Sequence, residues 1–165
     1  MSAPATGPGA PQRSDPQPPA EAERRSWYEL VGLVRSLTPV ECLEPGYDPG
    51  IGGTVRDVVA HLGTWLAETR VQLERMSAGT YEGHEVDVEA LDATFLEAMA
   101  GQPWEVAWVQ ANAARNRMLE EWYALPEPSD EAAWWIDRCV AAHFGSHLGR
   151  LREWTQDLIA RRPEA

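Results

Sequence analysis

His143 and His147 stand four residues apart in the segment AAHFGSHLGRLREW. On an α-helix that spacing puts two side chains on one face, with Cβ atoms roughly 5–6 Å apart, so both imidazoles can hold one cation. Val140, His143, His147, Leu151, Trp154 and Leu158 step by three or four residues, which sets the pair on the apolar stripe of its helix, facing the core. His61 lies three after Val58 and four before Trp65, on the border of the apolar stripe of an earlier helix. Three inward histidines are therefore expected. Each neutral imidazole has one donor and one acceptor, and leaving either unmatched in an apolar interior costs about 1–3 kcal/mol. A shared divalent cation satisfies three acceptors at once.

Other metal designs fail on spacing, since the chain has neither H-E-x-x-H nor E-x-x-H. Cys139, four before His143, is a candidate fourth ligand, although a small buried thiol is the plainer reading. His84, in the Gly-flanked run YEGHEV, reads as a solvated loop histidine. Imidazole suits Zn, Ni, Fe and Cu alike, so spacing does not choose the ion. Glu68, seven after His61, and Arg150, three after His147, are weak catalytic candidates, each more simply a solvated charge at a helix edge. Asp57 is expected to cap a helix.

The elements that must carry these residues read as helices. One is expected over 21–37, with Trp27, Leu30, Val31, Val34 and Leu37 on one stripe, and Pro39 beyond its end. The Pro- and Gly-rich stretch 38–53 is a loop. Thr54 opens a second helix in an S/T-x-x-D arrangement with Asp57, running to about 77 with Gly79 as its stop. A short amphipathic helix over 86–100 follows. Pro103 opens a helix to about 125 with Trp104, Trp108, Ala111, Met118 and Trp122 inward, and Ser129 or Asp130 caps a last one to about 161. No strand pattern competes. The expected fold class is all-α: a four-helix bundle with a long crossover between the second and third helices, carrying a short extra helix. Residues 1–20 hold six prolines and no periodic apolar positions, so they are expected as a disordered tail before a 21–165 bundle domain.

Composition narrows the partners. The chain has 165 residues, with 14 basic and 26 acidic side chains for a formal charge of −12, which disfavours nucleic acid and anionic membrane surfaces. Two cysteines are too few for a disulfide framework, and no apolar run approaches the ~20 residues that span a bilayer. A cytoplasmic protein acting on a small molecule is expected. Every basic residue is Arg, and Ala, Gly and Pro abound, a bias that suggests a GC-rich bacterial genome.

TVRDVVAHLGTW, followed some eighty residues later by AAHFGSHLGRLREW, resembles the DinB-like metal-dependent four-helix bundles, a family that includes the N-terminal domain of mycothiol-dependent maleylpyruvate isomerase. The resemblance covers about 25–160. It implies a divalent metal, with Zn, Ni or Fe foremost, on His61, His143 and His147, with the remaining positions open to water or a ligand. It also implies a homodimer and a low-molecular-weight thiol such as mycothiol as nucleophile. The isomerases carry Glu where His143 stands and an Arg in the segment between the second and third helices; here no Arg lies between Arg75 and Arg115, which argues against maleylpyruvate as substrate. Two classes stand: a metal-dependent enzyme using a thiol or water in transferase, isomerase or hydrolase chemistry, and a non-catalytic bundle that sequesters a metal or a hydrophobic small molecule.

Overall fold

The computed structural model describes residues 18–47, 53–83 and 86–163, apart from the side chains of Pro18 and Cys139. The described residues are helical with no strand, so the fold is all-α. Helix α1 spans Pro18–Arg35 and α2 Val55–Ser77. Helix α3 spans Val88–Met99 and α4 Trp104–Ala124. Helix α5, Asp130–Ile136, passes through a π-helical stretch, Asp137–Ala142, into α6, His143–Ala160.

Local chemistry sets the ends. Thr54 caps α2: its hydroxyl oxygen accepts from the Asp57 N–H at 3.1 Å and its O–H donates to Asp57 Oδ2 at 2.6 Å, which satisfies a donor that the first turn leaves open. Asp57 is thus a capping residue, as its spacing suggests. Gly79, at φ +69°, supplies the left-handed residue just past α2. Ser129 caps α5 by accepting from the Ala132 N–H at 3.1 Å.

Helix α2 packs along α4, and α1 along α6 and the π stretch. The α2–α4 approach is close because Gly63 has no side chain: a Cβ there would lie 3.1 Å from Ala111 Cα. Trp27, Leu30, Val58, Leu62, Leu66, Met118, Phe144 and Leu151 are buried in the core these helices share. Within it Glu23, fully buried, receives two hydrogen bonds from Arg115, at 2.6 and 2.9 Å, and the guanidinium lies 5.1 Å from the Trp27 ring centre.

Three expectations need correction. Helix α1 begins at Pro18 and buries Ala20, earlier than the expected helix start at 21; residues 1–17, within the segment expected as a tail, lie outside the described residues. The last helix is not one regular α-helix, because the π stretch shifts the register ahead of His143. The short helix α3 buries none of its residues fully, and Val88 is largely exposed, although Leu91 and Phe95 pack against Trp65 and Trp135.

Candidate metal centre

Helix α2 brings in His61, and α6 supplies His143 as its first residue and His147 one turn on. The π stretch has backbone bonds that reach one residue further than those of an α-helix, a feature common beside functional sites. His61 is buried, whereas His143 and His147 are half-buried. The stripe of α6 that faces the core fully runs through Phe144, Leu148, Leu151, Thr155 and Leu158. The two α6 histidines therefore flank the core, not its centre as their periodicity suggested, and His143 opens onto solvent-accessible space.

The three rings converge through one kind of atom. His61 Nε2 and His143 Nε2 are 2.8 Å apart, and His143 Nε2 and His147 Nε2 are 3.1 Å apart. An imidazole nitrogen carries either one in-plane proton or one in-plane lone pair, so His143 Nε2 can make only one good hydrogen bond of the two that these contacts would require. A proton shared among the rings is disfavoured as well. Burial holds His143 down to about 3, with the neighbouring His61 and His147 adding to the effect. Burial also holds His61 down to about 4, against the opposing pull of Asp92. The three ligand nitrogens all lie within 4.8 Å of one another, close enough for one ion, and the donor set of three neutral imidazoles suits a divalent transition ion.

A cavity of about 1090 Å³ adjoins His143. Its walls come from α2 and α3 (Trp65, Asp92), from Tyr81 and Val86 in the connection between them, and from α5 and the following turns (Asp130, Glu131, Trp134, Arg138). Trp65 sits edge-on to the His143 ring at 5.3 Å between centres, and Trp135 donates its indole N–H to the Tyr81 hydroxyl at 3.2 Å. Tyr81 on one wall is thus anchored to Trp135 behind it, and Trp65 on another packs against the His143 ring.

The remaining candidates lie elsewhere. Glu68 accepts from the Gln72 side chain at 2.6 Å and lines a separate cavity of about 360 Å³, which shares Tyr81 and Val86 with the larger one. Arg150 donates to the Tyr47 carbonyl at 3.2 Å, lies over the Tyr47 and Trp154 rings and pairs with Glu153. Tyr47 in turn donates its hydroxyl to the His147 carbonyl at 3.2 Å, so Arg150 braces the loop against α6 and does not line the cavity at His143. His84 and the Cys139 side chain lie outside the described residues. Cys42 is buried, and desolvation first, then Glu41, pushes its thiol up to about 12, which makes it a poor nucleophile at neutral pH.

Sequence reasoning missed Asp92. Its Oδ1 accepts the Trp65 indole N–H at 2.7 Å and stands 3.7 Å from His61 Nδ1. The signal was present: Asp92 falls four after Val88 and three before Phe95, a carboxylate on the apolar stripe of its own helix.

No protein-family model matches the chain, and no curated protein matches it. The fold is similar to the crystal structure of an uncharacterised protein from Escherichia coli UTI89, with a TM-score of 0.70 and 17% identity over 88% of this chain and 97% of that one. At that identity the likeness shows the fold alone: an all-helical architecture shared along nearly the whole length of the E. coli protein.

Proposed function

We propose that the protein is a metal-dependent enzyme built on a DinB-like four-helix bundle, with one divalent ion held by Nε2 of His61, His143 and His147. The observation that carries this reading is the convergence of the three Nε2 atoms at 2.8 and 3.1 Å, an arrangement that hydrogen bonding among neutral rings cannot satisfy. An ion so held supplies Lewis acidity, which lowers the pKa of a thiol or water and polarises a carbonyl. The resemblance favours a low-molecular-weight thiol of the mycothiol type as nucleophile, with activated water as the alternative, and it favours a cytoplasmic homodimer.

The chain's own residues account for the rest. Trp65, packed edge-on against His143, screens one flank of the histidines from water, which strengthens charge interactions there. The Tyr81 hydroxyl, accepting from Trp135, keeps its own proton to donate toward a substrate oxygen in the cavity. The half-buried setting of His143 and His147 beside an open cavity supports catalysis on a small molecule over sequestration in a closed site.

Elemental analysis of protein purified without a nickel column tests the reading. One divalent ion per chain is expected, and His147→Ala should abolish stoichiometric loading; unchanged loading in that variant would overturn the assignment. Titrating a small thiol into the cobalt-loaded protein then separates the two chemistries, since a thiolate ligand adds an ultraviolet charge-transfer band that water does not. Absence of the band, together with hydrolysis of test esters that is lost in His61→Ala, would leave a hydrolase.

A further inference from the structure

If His61 Nε2 is to offer its lone pair, the ring's single proton must sit on Nδ1. That Nδ1 is buried with no hydrogen-bond partner, in a residue only 4% exposed, and an unmatched donor there costs about 1–3 kcal/mol. Asp92 Oδ1 stands 3.7 Å away, about 0.8 Å beyond the usual N–H···O distance of about 2.9 Å. Trp65, one turn after His61 on α2, already grips that same oxygen through its indole N–H at 2.7 Å. Phe95, one turn further along α3, closes edge-on over Trp65 at 5.7 Å. The carboxylate is therefore aimed and tethered, on a helix that packs on Trp65 through Leu91 and Phe95 and buries none of its residues fully.

We propose that Asp92 is the positioning residue for His61: its carboxylate takes the hydrogen bond from Nδ1–H and thereby fixes Nε2 as the ligating atom. The inference rests on the metal reading above. A carboxylate behind a ligating imidazole fixes its tautomer, orients the ring and raises its basicity, and losing such a partner typically weakens metal affinity 10- to 100-fold. Because Asp92 also lines the cavity at His143, one side chain links the connection between α2 and α4 to both the ion and the substrate space.

The competing account is that Asp92 only satisfies the Trp65 indole. Asp92→Asn distinguishes the two, because its amide oxygen still accepts from Trp65 while the negative charge that holds the His61 proton on Nδ1 is gone. Nitrogen-15 correlation spectra of the metal-free protein should show His61 with its proton on Nδ1, and a shift toward Nε2 in Asp92→Asn. Chelator competition with Zn²⁺ should show affinity weakened 10- to 100-fold, with Asp92→Glu recovering part of it. Unchanged tautomer and affinity in Asp92→Asn, with the wild type binding one ion, would overturn this inference and leave the metal reading standing. A wild type that binds no stoichiometric Zn²⁺ would overturn both. A destabilised metal-free Asp92→Asn protein with the wild-type tautomer at His61 would assign the residue to structure alone.

Discussion

His61 and His143, 82 residues apart in the chain, meet Nε2 to Nε2 at 2.8 Å in a setting where burial holds both rings well below the usual histidine range. The same desolvation that frees their lone pairs for a cation makes protonation costly in the folded state. Both properties follow from helix α2 carrying an imidazole into its buried face opposite the start of α6.

The metal-free protein should therefore lose stability with acid. In the unfolded chain both histidines bind protons as pH falls through about 6.5, whereas in the folded chain they resist until about 4 for His61 and about 3 for His143. Between those limits the unfolded state holds more protons, so stability is full above about 6.5 and declines as pH falls toward 4. Urea midpoints measured from pH 8 to pH 4 on chelated protein should trace that decline, and His61→Gln together with His143→Gln should flatten it. A wild-type midpoint unchanged from pH 7 to pH 4 would contradict the burial argument.

Glu23 and Arg115 pose a different test. The carboxylate is fully buried and receives two guanidinium hydrogen bonds, so removing the guanidinium strands a charge in the core. Arg115→Met should cost about 3–5 kcal/mol in chemical denaturation. The double change with Glu23→Gln should recover part of that loss, because the stranded charge goes with it. Additive losses would mean that the two side chains act independently.

At Gly63 the constraint is steric. A Cβ there meets Ala111 Cα and Cβ at 3.1 Å, and backbone gives way less readily than a flexible side chain. Gly63→Val should destabilise by about 1–3 kcal/mol through overpacking. Since His61 lies two residues away on the same helix, the variant should also weaken Zn²⁺ binding, which calorimetry would read directly. A neutral effect on both would show that α4 can retreat without disturbing α2.

Much of this was legible in the sequence because its period and punctuation agree. Thr54 and Asp57 mark the start of α2, Gly79 its end and Ser129 the start of α5, and each performs the job its side chain suggests. The three histidines were readable from helical spacing alone. What stayed hidden was non-local or irregular. Nothing in a run of apolar residues signals a π stretch over 137–142, so the core-facing stripe of α6 was set on His143 and His147 instead of Phe144 and Leu148. Tyr47 sits in a Pro- and Gly-rich loop with no period to follow, yet its hydroxyl reaches the His147 carbonyl across 100 positions. Asp92 was visible as an intruder on an apolar stripe, but only its distance to His61 gives it meaning.

The π stretch also decides which kinds of sequence change the centre can tolerate. A wide backbone turn of this kind is equivalent to one extra residue threaded into an α-helix, and each α-helical residue turns the chain by about 100°. Deleting a single residue within 137–142 should therefore let the wide turn close into ordinary α winding while keeping α5, with Trp134 and Trp135, close to its present phase against His143. A residue lost from the regular winding of α6 finds no such slack and turns everything beyond it by about 100°. The stretch thus acts as a length buffer beside the centre, able to absorb a lost codon that the regular helix after it cannot.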